Sequence, residues 1–148
     1  MSVIFSGTCE YALQATLFLA KHASDEPMHL QDIASALRIP RHFLSKILQR
    51  LTHCKIVRSY RGKQGGFKLV RNVSSLKCID IVRAIDGDTF LDQCVLGFPG
   101  CADNHPCPLH SHWKEAKQII LAMLSEQTIS DLSKEIDVKL ALLRLQGR

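Results

Sequence analysis

Between Arg38 and Arg71 the sequence has no acidic residue, although that stretch carries ten lysines and arginines. A plain solvated surface mixes both signs, so the absence argues for contact with a polyanion. Aromatic residues are scarce, at 6% with a single tryptophan. The basic residues therefore do not sit on the aromatic-studded sheet that stacks single-stranded bases, and duplex DNA is the expected partner. No apolar run approaches the ~20 residues that span a bilayer, so no membrane partner is expected. Residues Met1 to Gly7 lack a basic start followed by an apolar core; no signal peptide is expected, and the expected location is cytoplasmic. No acid–base pair or nucleophile–base arrangement stands out, which leaves an enzyme and a small-molecule substrate without support.

The 148 residues suit one domain with an appended dimerisation element, and a hydrophobic content of 46% with 22% charged residues is ordinary for a folded chain. Helical spacing of apolar residues marks a first helix from Tyr11 to His22 with Thr8 as its expected cap, broken at Ser24 to Pro27. A short second helix spans Leu30 to Leu37. After Arg38 and Ile39, Pro40 suits the first turn of a third helix that runs to His53, with Phe43, Leu44, Ile47, Leu48 and Leu51 on its buried face. Two short helices in this arrangement match a helix-turn-helix whose second member enters the major groove. Ile56 to Tyr60, the glycine-rich Arg61 to Gly66, and Phe67 to Val70 read as strand, turn and strand. Gly65 and Gly66 are read as turn residues rather than as a phosphate cradle, because no helix follows at the required spacing. A hairpin in this place makes the unit a winged helix-turn-helix.

A fourth helix, about Ile79 to Asp86, stops at Gly87. From about Pro108 a longer helix begins, with Leu109, Trp113, Ala116, Ile120 and Met123 or Leu124 on one stripe, expected to be a dimer seam or intrachain core. Ser130 to Leu145 reads as one final helix. The expected fold is mainly α with a small β wing. It comprises a winged helix-turn-helix head over residues 1–87, a cysteine-rich loop over 88–110, and a dimerisation helix with a C-terminal helix over 108–148.

Six cysteines in a reducing compartment are more often free, metal-bound or redox-active than disulfide-paired. Cys9, Cys54 and Cys78 read as ordinary buried small residues. Cys94, Cys101 and Cys107 are followed by His110 in the spacing Cys-x6-Cys-x5-Cys-x2-His, with glycines and prolines between them. Thiolates are soft donors suited to iron–sulfur clusters and to zinc. Both cofactors remain open from the residues alone, as does a metal-free thiol switch. His110 stands at a helix start where it can face the same point as Cys107; His105 and His112 are expected to be solvated, and Trp113 to lie in the core or the dimer seam.

Ile39-Pro-Arg-His-Phe-Leu-Ser-Lys-Ile-Leu48, Arg61-Gly-x-x-Gly-Gly-Phe-x-Leu69 and Asp80-Ile-Val-Arg-Ala-Ile-Asp-Gly87, followed by the spaced cysteines and Cys107-Pro-Leu-His-x-x-Trp113, carry a resemblance. Together they resemble the bacterial iron–sulfur transcription regulators of the IscR, NsrR and RirA type, over nearly the whole chain. The resemblance implies a homodimer on double-stranded promoter DNA, usually a repressor, whose affinity is set by an iron–sulfur cluster (2Fe–2S or 4Fe–4S) responding to redox, nitric oxide or iron status. It implies major-groove readers at His42, Ser45 and Lys46 and a minor-groove arginine at Arg61. Arg41, Arg50, Arg58 and Lys63, from the basic run, complete the expected DNA-binding set. The implied cluster ligands are Cys94, Cys101 and Cys107, with His110 or Glu10 of the partner subunit as the fourth. Two departures stand out: the first cysteine gap is six residues where five is common, and Ser45 replaces an acidic residue that discriminates between two kinds of site. A small iron–sulfur electron carrier or assembly protein is the competing reading, and it leaves the acid-free basic run unexplained.

Overall fold

The computed structural model describes residues 4–70 and 72–146, and it is mostly helical with one two-stranded antiparallel sheet. The first helix, α1 (Gly7–Lys21), begins earlier than expected and is capped by Ser6 rather than Thr8. The Ser6 hydroxyl accepts from the Cys9 N–H at 3.1 Å. Ser6 also bonds the Asp86 carboxylate through both its N–H, at 2.9 Å, and its hydroxyl. That second anchor, on the end of the fourth helix, is what selects Ser6 over Thr8, and it could not be seen from local spacing.

Helix α2 (Leu30–Leu37) ends at Arg38, which takes the left-handed conformation with φ 55°, and the chain turns into α3 (Arg41–His53). Pro40 is the residue just before α3, not part of its first turn. Leu44, Ile47, Leu48 and Leu51 are buried as expected, whereas Phe43 is 52% exposed. Phe43 lies on the flank of the helix at the edge of the apolar stripe, where it stacks on His42 with ring centroids 4.4 Å apart.

Strands β1 (Val57–Tyr60) and β2 (Gly66–Leu69) pair from Val57 opposite Leu69 to Tyr60 opposite Gly66. A further link was not expected: Met28, in the connection from α1 to α2, exchanges both backbone bonds with Phe67, at 2.9 and 2.8 Å. The close approach explains the glycine pair. A Cβ on Gly66 would lie 2.2 Å from the Met28 carbonyl oxygen, and one on Gly65 would lie 2.5 Å from that of Tyr60.

Helix α4 (Cys78–Asp86) is closed by Gly87 at φ 83°. Helix α5 (His110–Glu126) follows the cysteine loop. The single final helix expected over Ser130 to Leu145 is two, α6 (Ile129–Lys134) and α7 (Asp137–Leu145). The break lets α6 lie along α1 while α7 turns onto α2, which one straight helix could not do. Asp137, at the start of α7, pairs with Lys21 at 2.8 Å.

The core gathers on α1, against which α3, α4 and α6 pack. Ala12, Ala15, Leu44, Leu48, Leu51, Ile81 and Ile129 are fully buried, each large aliphatic among them contributing about 1.5–3 kcal/mol. Cys9 and Cys78 are buried as expected, but Cys54 is exposed at the end of α3. Burial and the neighbouring Asp86 carboxylate push the Cys9 thiol up to about 12. The expected α5 stripe is divided. Leu124 is buried and Ile120 packs against the core, so that face belongs to the chain's own head; Ile119 and Met123, on the adjoining face, are 72% and 51% exposed. Among the described residues no helix is long and apolar enough to cross a membrane.

Candidate DNA-reading head and metal centre

Arg41, His42, Lys46 and Arg50 are exposed along α3, and Ser45 is half-buried on its flank. Arg58, Arg61 and Lys63 are exposed on the hairpin and its turn. Among the described residues, none of these arginines and lysines enters an ion pair. Unpaired cations on a helix and an adjacent wing are free to meet phosphates. The Arg58 guanidinium lies 6.0 Å from the centre of the Tyr60 ring, two residues along the same strand face. Arg71, counted in the basic run, lies outside the described residues. One exposed side chain on this face escaped the sequence reading. Gln49 follows Ser45 by one helical turn and reaches its hydroxyl at 3.4 Å; the i, i+4 spacing from Ser45 was the available signal.

The cysteine loop turns tightly. Gly97, at φ 77°, donates its N–H to the Cys94 carbonyl at 2.9 Å, and His105 returns to Ala102 at 2.9 Å. These turns bring Cys94, Cys101 and Cys107 together with their three sulfurs within 4.8 Å of one another. The Cys94 and Cys107 sulfurs lie 3.6 Å apart. His110, the first residue of α5, stands to one side of the triad with Nδ1 3.2 Å from the Cys101 sulfur. Its Nε2 bonds Asp103 at 2.9 Å, and Asp103 in turn holds Lys114 at 3.1 Å. Trp113 donates its indole N–H to the Gln93 carbonyl at 3.0 Å, so it is a loop anchor in addition to being half-buried. Asp103 and Lys114 were not foreseen; the placement of Lys114 one turn after His110 was the only local hint. Glu10 is not part of its own chain's triad, and His105 and His112 are exposed as expected.

Electrostatics within the triad is uneven. Partial desolvation resists ionisation of Cys94, yet the backbone N–H groups of Phe98 and Leu96 and the thiols of Cys107 and Cys101 outweigh it and bring the group down to about 7. Cys107 moves the other way, chiefly through desolvation, with its two sulfur neighbours adding to it. Hydrogen bonds from His110 and Lys114 hold the Asp103 carboxyl below its usual range. Three convergent sulfurs with an imidazole beside them form a donor set that fits iron–sulfur or zinc chemistry. A cavity of about 260 Å³ opens beside Cys94 and Cys101, lined also by Asp103, His110, Trp113 and Lys114.

A helix-turn-helix followed by a two-stranded wing, with unpaired cations along both, defines a winged-helix DNA-binding regulator. Comparison with known proteins carries this further. The Rrf2 family profile, described as iron-dependent transcriptional regulators, matches residues 5–135. Over 133 residues the chain is 34% identical to a candidate helix-turn-helix regulator of Aquifex aeolicus (strain VF5), covering 88% of this chain and 91% of that protein. It is 29% identical over 128 residues to the transcriptional regulator IscR of Yersinia pestis, covering 86% of this chain and 77% of the relative. The solved structure of T. potens IscR is similar with a TM-score of 0.70 at 26% identity, covering 100% of this chain and 93% of that one. The chain belongs to the Rrf2 family. It is an IscR-like transcriptional regulator and not an enzyme.

Proposed function

We propose that the protein is a homodimeric repressor of promoter DNA whose operator affinity is governed by an iron–sulfur cluster held by Cys94, Cys101 and Cys107, with His110 of the same chain as the fourth ligand. The observation that carries this reading is the convergence of three sulfurs within 4.8 Å at the start of α5. The description of the matching family as iron-dependent regulators favours iron–sulfur chemistry over zinc. His110 is favoured over Glu10 of the partner subunit because its ring nitrogen already lies 3.2 Å from Cys101. A bound cluster supplies a redox-active, oxidant-labile link among these side chains.

The protein's own residues turn that link into a change of shape. Cys107 lies three residues before His110, the first residue of α5, and the His110 N–H bonds the Cys107 carbonyl at 3.0 Å. Holding both side chains holds the first turn of the helix. The exposed Ile119 and Met123 farther along α5 form the dimer seam in this reading. Recognition helices must lie about one DNA turn apart, roughly 34 Å, to read two half-sites. A small shift at α5 then changes affinity for a palindrome without altering a DNA contact. Arg41, His42, Ser45, Lys46 and Arg50 serve the major groove and its phosphates, with Gln49 beside them, while Arg58, Arg61 and Lys63 serve the wing. Zinc is a second reading, favoured by the 3.6 Å separation of Cys94 and Cys107, close to the spacing of thiolates about one tetrahedral ion with bonds of about 2.3 Å.

Anaerobic purification followed by gel shift on promoter DNA is the test. Iron and acid-labile sulfide in the protein, with operator affinity that changes when Cys94, Cys101 and Cys107 are all replaced by Ala, is the expected result. Zinc without sulfide selects the second reading. Affinity and oxygen response identical in the triple variant would remove the cluster from the mechanism.

A further inference from the structure

Asp103 and Lys114 have no part in the resemblance or in the DNA-reading head, yet they form a continuous chain with His110. The His110 side chain is 19% exposed and both of its ring nitrogens are engaged. An ionised carboxylate only accepts hydrogen bonds, so the 2.9 Å contact between Asp103 Oδ1 and Nε2 places the ring proton on Nε2. In the neutral ring Nδ1 then carries the lone pair, and Nδ1 is the atom 3.2 Å from the Cys101 sulfur. Asp103 is itself braced: Lys114 Nζ lies 3.1 Å from each of its carboxylate oxygens. Lys114 follows His110 by one turn on α5, and Asp103 lies in the tight turn closed between Ala102 and His105. The brace therefore joins the middle of the ligand loop to the helix start by a route that does not pass through the cysteines.

We infer that Asp103, held by Lys114, is a positioning residue that fixes His110 in the Nε2-protonated tautomer and presents Nδ1 as the fourth donor to the cysteine site. The physical reason is general: a metal-binding histidine is oriented and made more basic by a carboxylate on its other nitrogen, and loss of that partner typically costs about 10–100-fold in affinity. The inference rests on the proposed cluster reading, and it adds the donor atom, the tautomer and the residues that set them.

Two measurements test it. In metal-free protein, nitrogen-15 chemical shifts should report His110 as a single Nε2–H tautomer, and Asp103→Ala should return it toward the mixture of tautomers of a free histidine while leaving the fold intact. In anaerobically reconstituted protein, pulsed electron paramagnetic resonance of the reduced cluster should show a histidine-nitrogen coupling that His110→Ala removes and Asp103→Ala weakens. Chelator-driven iron release should be about tenfold faster or more in Asp103→Ala, with Asp103→Glu restoring the slower rate. A nitrogen coupling and release rate unchanged in Asp103→Ala would overturn the positioning role while leaving the cluster in place. Absence of nitrogen coupling in the unmodified protein would overturn His110 as donor in the same way. Protein that takes up neither iron nor sulfide under these conditions would instead overturn the cluster reading itself, and the donor role with it.

Discussion

Trp113 and Gln93 are joined by an indole N–H to carbonyl bond of 3.0 Å, so the helix that leaves the ligand loop also grips the residue just before its first cysteine. Replacing Trp113 by Phe keeps an aromatic ring but removes the donor. A net hydrogen bond is worth about 1 kcal/mol, so cluster loss in air should quicken about fivefold in Trp113→Phe. Decay of the visible absorption of reconstituted protein measures it.

Arg61 stands exposed at the wing turn and makes no ion pair with a described residue. Arg61→Ala should weaken binding most at sites with a narrow A-tract minor groove, where the negative potential is greatest. Lys46→Ala, on α3, should weaken sites according to their major-groove sequence. Affinities on a panel of duplexes at fixed salt check both; a uniform loss for Arg61→Ala would make it a plain phosphate contact.

The two apolar faces of α5 should respond differently. Ile119 is 72% exposed, so Ile119→Lys should leave the monomer folded, shift sedimentation toward it, and abolish palindrome binding. Leu124 is 5% exposed, so Leu124→Ala should instead cost about 2–5 kcal/mol of stability by opening a cavity, without first changing the oligomeric state.

Gly66→Ala should separate the wing from the α1–α2 connection, because the added carbon would meet the Met28 carbonyl oxygen at 2.2 Å. Forced overpacking of this kind typically costs about 1–3 kcal/mol. A lowered thermal midpoint together with weaker DNA binding is expected.

The buried thiols give a pH signature. Cys9 rises from the ordinary 9.0 to about 12 in the folded protein, first through burial and then through Asp86. The folded state therefore holds this proton more tightly than the unfolded chain does. Its contribution is fully present below pH 9 and fades as pH climbs toward 12, so Cys9→Ala should flatten the alkaline limb of the stability profile. Under native conditions a thiol reagent should spare Cys9 and Cys78 and label Cys54.

Much of the fold was legible because period and punctuation are local. Leu30–Leu37, the hairpin and the Gly87 stop all follow from residues close in sequence. What was missed depends on distant partners. Ser6 displaces Thr8 as a cap because Asp86 lies 80 residues away, and the last helix divides because two different neighbours receive its halves. Phe43 looked buried because an apolar residue at the edge of a stripe is ambiguous by angle alone. At the candidate metal centre the cysteine spacing was visible, whereas the link from Asp103 to His110 and Lys114 exists only once the loop has turned back on α5.

The paired backbone bonds between Met28 and Phe67 make the α1–α2 connection a third partner of the hairpin. A wing tied in this way has no hinge of its own. In the proposed reading, grip on the minor groove and entry of α3 into the major groove are then one rigid-body variable, so a signal arriving through α5 would shift where a whole head sits on the duplex without opening its fingers separately.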